Sequence, residues 1–165
     1  IEGTFASRFA DVGEEFNLFL HDDGSVWANG ENDEGQLGLG RIGSAVCVNE
    51  KIQNVPKAFT VAAGEDHGII VTEDAKALVF GGNDEGQLGL GKGAPTMVPV
   101  PVEVPGLSNV LGASAGSDES FFLTADGSVF ATGGNEYGGL GLGHYNPVFV
   151  PTKVWLPEKA WKVVA

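Results

Sequence analysis

An all-β fold of repeated four-stranded antiparallel units is what this sequence predicts, and three observations carry the prediction. First, a glycine-rich phrase is written three times. It reads Asn32-Asp33-Glu34-Gly35-Gln36-Leu37-Gly38-Leu39-Gly40, then Asn83-Asp84-Glu85-Gly86-Gln87-Leu88-Gly89-Leu90-Gly91, and more loosely Asn135-Glu136-Tyr137-Gly138-Gly139-Leu140-Gly141-Leu142-Gly143. The steps from Asn32 to Asn83 and from Asn83 to Asn135 are 51 and 52 residues. A fixed period of that size marks one supersecondary unit repeated along the chain. Second, the apolar runs between the phrases are only four to six residues long, rich in Val, Ile, Phe and Trp, and bounded by Gly and Asp. That is a strand signature, since a helix would need a longer stripe of period 3.6. Third, Gly accounts for 26 of 165 residues, more than twice its usual share, at fixed places that imply many tight turns.

Each unit then reads in the same order. A first apolar stretch ends in Gly (Phe9 to Gly13, Val61 to Gly64, Ala113 to Gly116), and a second follows (Phe16 to Leu20, Gly68 to Thr72, Phe121 to Thr124). An acidic turn leads into a third run (Ser25 to Asn29, Ala77 to Phe80, Ser128 to Thr132), which the glycine-rich phrase ends. A fourth, proline-flanked run comes last, at Val98 to Val102 and Val148 to Pro151. Proline there suits an outer edge strand, where a missing amide donor does no harm. Four short antiparallel strands per fifty residues describe a β-propeller blade. The parsing is a lead-in over 1–8, repeats over 9–58, 59–110 and 111–160, and the opening of a fourth over 161–165.

The motif Ala63-Gly64-Glu65-Asp66-His67, followed by an apolar strand, an acidic turn and Gly82-Asn83-Asp84-Glu85-Gly86-Gln87-Leu88-Gly89, resembles the repeat of the regulator of chromosome condensation family. The resemblance runs from about Phe9 to the end and implies a propeller, which in this family usually closes seven blades. Three repeats and a stub imply a partial propeller, so further blades are expected from a longer chain or from self-assembly, because an open array leaves unpaired edges. Functionally the family spans exchange factors for small GTPases, ubiquitin-ligase domains, ciliary proteins and a plant photoreceptor. The repeats drift: the usual second-strand His survives as His67, with Phe16 and Glu119 at the equivalent places, the motif Gln is Gly139 in the third phrase, and Val48 stands where Pro99 and Pro151 stand later. The photoreceptor branch needs closely placed Trp and Arg. Here the arginines are Arg8 and Arg41, and Trp27, Trp155 and Trp161 are expected in core or inter-blade packing.

The net charge of −13 argues against direct contact with nucleic acid or an anionic membrane, both polyanions. No apolar run approaches a membrane span in length. The single cysteine, Cys47, makes no internal disulfide, so an intracellular place, cytoplasm or nucleus, is favoured. No cofactor is expected. Gly38-Leu39-Gly40-Arg41-Ile42-Gly43 fits a dinucleotide pattern and Gly86 to Lys92 nearly fits a phosphate loop, but neither has the strand–turn–helix setting that gives those patterns their chemistry. His21, His67, His144 and Cys47 share no zinc-ligand spacing, the acidic turns lack the alternating oxygens of a calcium loop, and nothing links Ser, His and Asp into a triad. The chain is therefore expected not to be an enzyme.

The acidic residues carry the positive signal. Seventeen of 22 fall in three recurrent turns, and in an antiparallel blade the first and third turns share one face. That puts twelve on one rim and five on the other. The candidate partner-binding residues are Glu14, Glu15, Asp33, Glu34, Glu65, Asp66, Asp84, Glu85, Asp118 and Glu119. Such a rim steers a basic partner; the plainer reading is solvated turn charge, which propeller loops ordinarily carry. The expected role is a protein-interaction module whose loops dock a basic protein surface. The resemblance adds guanine-nucleotide exchange on a small GTPase, or recruitment within a larger ligase or ciliary protein.

Overall fold

The computed structural model describes residues 7–165, so residues 1–6 of the expected lead-in lie outside the described residues. Twelve strands run β1 (Ser7–Val12), β2 (Phe16–His21), β3 (Val26–Asn32), β4 (Gly43–Lys51), β5 (Ala58–Ala63), β6 (His67–Thr72), β7 (Ala77–Gly82), β8 (Met97–Glu103), β9 (Val110–Ala115), β10 (Glu119–Thr124), β11 (Val129–Gly133) and β12 (Val148–Val154). They form three four-stranded sheets in consecutive antiparallel order: β1–β4, β5–β8 and β9–β12. These are the blades. No helix among the described residues is long and apolar enough to cross a membrane.

The blades stack through alternate faces of their strands. Phe16, Leu18, Leu20, Val26 and Ala28 of blade 1 pack against Val61, Ile70, Leu78 and Phe80 of blade 2. On its other side blade 2 presents Ile69, Val71 and Val79 to Val110 and Phe122 of blade 3. The central blade therefore has β6 and β7 buried at every residue, while β2 alternates between buried and half-buried. A strand covered on both faces reads as a continuous apolar run, and one covered on a single face alternates.

Within each turn, the phrase is a compact device. Its asparagine accepts from the leucine amide five residues on (Leu37 N to Asn32 Oδ1, 3.2 Å; Leu88 N to Asn83, 3.1 Å; Leu140 N to Asn135, 3.1 Å) and donates to the carbonyl of Arg41, Pro95 or His144. Gly35, Gly86 and Gly138 take φ of 79°, 83° and 76°, a region that costs an L side chain free energy. The last glycine of the phrase lets one blade reach the next: Gly40 N donates to Pro99 O and Gly91 N to Phe149 O, both at 2.8 Å.

Two readings are corrected. Gly30, Gly81 and Gly133 pair with Val46, Val98 and Val148, so Cys47 corresponds to Pro99 and Phe149, and Val48 to Val100 and Val150. The alignment of Val48 with Pro99 and Pro151 fails because the step from the phrase to the paired valine differs in each unit: six positions from Gly40 to Val46, seven from Gly91 to Val98 and five from Gly143 to Val148. Trp155 and Trp161 are not packed: they are 80% and 87% exposed. Trp27 is half-buried, stacked on His21 with ring centroids 5.4 Å apart. The prolines of β8 and β12 do lie on outer edge strands. Residues 161–165 form no strand but run beside β9, with Ala165 N donating to Ser114 Oγ.

Candidate partner-binding face

The first turn of each blade and the glycine-rich phrase meet at one end of the strands because a hairpin returns the chain to the end it left. Backbone bonds tie the two together: Glu31 N donates to Glu15 O, Gly82 N to Asp66 O and Gly134 N to Asp118 O. Glu14, Glu15, Glu31, Asp33, Glu34 and Asp66 thereby line one depression of about 280 Å³. Glu14, Glu15, Asp33, Asp84, Glu85 and Asp118 are exposed on this face, and Glu34, Glu65 and Asp66 are half-buried.

Crowding is visible in the protonation equilibria. Burial, then Glu65, Asp33, Glu14 and Asp118, raise the Asp66 carboxyl above its ordinary value. Burial, with Glu65 and Asp84, does the same to Asp118. Burial and then Asp84, Asp33 and Asp66 raise Glu34, one of whose oxygens is buried without a hydrogen-bond partner. Asp33 foremost raises Glu31. Carboxylates that oppose one another's ionisation leave a field that a cation would relieve.

The other rim has a different character. Asp23 and Asp126 cap their own turns there: Asp126 is held down to about 2 by hydrogen bonds from Thr124 and Ser128, and Asp23 is lowered by Ser25. Cations are interspersed, with Lys76 paired to Glu103 at 2.8 Å, and Lys57 and Lys159 against Gly24 and Gly127. One rim is thus strongly acidic, with Arg41 (paired to Glu50 at 2.7 Å) and Lys92 the cations in its turns, and the other is mixed.

Three residues have duties the sequence reading did not foresee. Asp66 and Asp118 accept from Gln36 Nε2 and Gln87 Nε2 across the blade junctions, both at 3.4 Å, so they also join blades. Glu119 opens β10 and is not a turn residue. Its oxygens lie so close to Gly116 and Gly139 that added Cβ atoms there would stand 2.7 and 3.3 Å away, which puts the carboxylate at the edge of blade 3's uncovered side. A missed feature is His67, fully buried with Nε2 2.9 Å from Ser120 Oγ across the second junction and Nδ1 unpartnered. Burial lowers it to about 4. No group of three or more His, Cys, Asp or Glu among the described residues is arranged to hold a metal ion.

The model of the regulator of chromosome condensation (RCC1) repeat matches residues 23–71, 74–123 and 126–165. The chain belongs to the regulator of chromosome condensation repeat family. The family repeat is offset from the blade: the first two matched segments each take strands three and four of one blade and one and two of the next, and the third takes β11, β12 and the residues that follow them. Among relatives, the X-linked retinitis pigmentosa GTPase regulator of Canis lupus familiaris is 33% identical over 150 residues, covering 88% of this chain and 15% of that protein. The probable E3 ubiquitin-protein ligase HERC6 of Homo sapiens is 35% identical over 147 residues, covering 87% of this chain and 14% of that one. The chain therefore spans about one seventh of these relatives. The crystal structure of yeast RCC1 (Prp20) bound to Kap60 superposes with a TM-score of 0.84 at 23% identity, over 92% of this chain and 37% of that one. It shows the same propeller fold.

Proposed function

We propose that this chain is a non-enzymatic docking module, whose acidic rim receives a lysine- or arginine-rich protein surface. One observation carries the reading: carboxylates from all three blades converge on a rim where Asp66, Asp118, Glu34 and Glu31 resist ionisation, while Lys57, Lys76 and Lys159 lie at the other end. A partner's cations would offset that repulsion and accelerate encounter.

The test uses a lysine-rich peptide of about ten residues as probe. Neutralising Glu14, Glu15, Glu65 and Asp84 to Gln or Asn, all at the acidic rim, should weaken binding about tenfold or more. Neutralising Asp22, Glu73 and Asp74 on the other rim should change it less than about twofold, and raising salt from 50 to 300 mM should weaken the parent complex steeply. Equal effects from both rims, or no salt dependence, would refute the reading.

A second reading is regulation of a small GTPase, favoured by a relative that is called a GTPase regulator. An exchange role predicts faster release of labelled GDP from a GTPase on adding the chain, with loss of the effect in the same rim variants.

A further inference from the structure

The glutamine of the glycine-rich phrase is a polar side chain shut away from solvent. Gln36 is 1% exposed and Gln87 4%, and a buried amide is costly unless its ends are bonded. Here they are. The carbonyl oxygen folds back on its own turn, accepting from Glu34 N at 3.0 Å and from Glu85 N at 3.1 Å. That bond turns the NH2 end towards the blade junction. Gln36 Nε2 donates to Asp33 Oδ1 at 3.3 Å and to Asp66 Oδ1 at 3.4 Å, and Gln87 Nε2 donates to Asp118 Oδ1 at 3.4 Å. Reversing either amide would set its oxygen against a carboxylate and its N–H groups against a backbone N–H, so one orientation fits.

The aspartates held in this way belong to the crowded rim. Asp66 faces Glu65 from its own turn, Asp33 and Glu14 from blade 1 and Asp118 from blade 3, and Asp118 faces Glu65 and Asp84. Neither is ion-paired among the described residues. Like charges so placed push the two sides of a junction apart. A lysine at the phrase position would hold them but cancel the charge, and a glutamate would add to the repulsion. Glutamine supplies donors that carry no charge. It draws in the aspartate of the next blade and leaves that negative charge for a partner.

We infer that Gln36 and Gln87 are positioning residues of the docking rim, buried away from the partner and holding Asp66 and Asp118 where its cations meet them. Given the docking role proposed above, on which this assignment rests, the partner's cations sit at blade junctions, where an amide of one blade and a carboxylate of the next converge.

Gln36→Met and Gln87→Met keep the side-chain volume and remove both hydrogen-bonding ends. Calorimetric titration of each full chain with the lysine-rich peptide should show binding weakened about fivefold. The effect of Gln36 should pass through Asp66, so in an Asp66→Asn background Gln36→Met should change affinity less than about twofold. A glutamine with a structural duty alone would cost the same in both backgrounds. In the parent chain the side-chain amide signals of Gln36 and Gln87, although buried, should shift with those of the rim when the peptide is added, a readout that stands even where a Met variant fails to fold. Affinity unchanged by both Met substitutions overturns the inference, as does an equal loss in both backgrounds, or glutamine signals that stay still while the peptide binds. A parent chain that does not bind the peptide at all overturns the docking role itself, and this assignment with it.

Discussion

At the scale of single residues, His67 shows what burial costs. Its ring is held neutral, lowered to about 4 from the ordinary 6.5 by burial. Between pH 6.5 and 4 the unfolded chain takes up a proton that the folded chain refuses, so stability present above pH 6.5 is lost as pH falls through that window. The expected loss is about 3 kcal/mol. The double variant His67→Phe with Ser120→Ala imitates the first junction, where Phe16 and Gly68 hold these places. Urea unfolding at pH 7 and at pH 4.5 should show a smaller pH difference in the variant than in the parent. An unchanged difference would mean the histidine is not the group responsible. The raised carboxyls of Asp66, Asp118, Glu34 and Glu31 act in the opposite sense, since protonation as pH falls relieves their repulsion, so the comparison of variants is what isolates His67. Asn83 carries a larger duty. Its side chain satisfies both Leu88 N and Pro95 O, and Asn83→Ala should cost about 2–4 kcal/mol by leaving both unpaired.

At the scale of the element, the glycine-rich phrase is a turn and also a joint. Gly86 takes φ of 83° and a Cβ there would stand 2.6 Å from the Phe149 ring, whereas Gly143 takes 76° with nothing within 4 Å. Both alanine variants pay for the left-handed backbone, about 1 kcal/mol, and Gly86→Ala adds displacement of the next blade. Thermal unfolding should therefore place Gly86→Ala lower in stability by about a further 1–2 kcal/mol. Equal losses would deny the phrase its role as a joint. This element was the most legible part of the sequence, because its asparagine and glycines answer to local backbone geometry that recurs wherever the phrase recurs. The fourth strand of the first unit, β4, was not, since Gly43–Lys51 lacks the prolines that marked β8 and β12. The pairing of Gln36 with Asp66 and of His67 with Ser120 was also hidden. These partners lie 30 and 53 residues apart on different blades, and only the stacking of sheets brings them together.

At the scale of the molecule, the same hairpin geometry that builds a blade sorts its charge. Each strand reversal sends the first and third turns to one rim, so a period of 51 or 52 residues becomes an acidic surface repeated around an arc. Glu14, Glu15, Asp33, Glu65, Asp84 and Glu85 were placed by that reasoning alone. Glu119 escaped it because β10 begins two residues earlier than the apolar pattern suggests, which turns a rim residue into one at the edge of the uncovered blade. The central claim is that partners meet the molecule at this rim. Amide chemical-shift mapping of the 15N-labelled chain with the lysine-rich peptide tests it most directly. The account predicts shifts at residues 13–15, 33–36, 64–66 and 84–87 that vanish at high salt. Shifts centred instead on residues 22–24, 73–76 and 126–128 would contradict it.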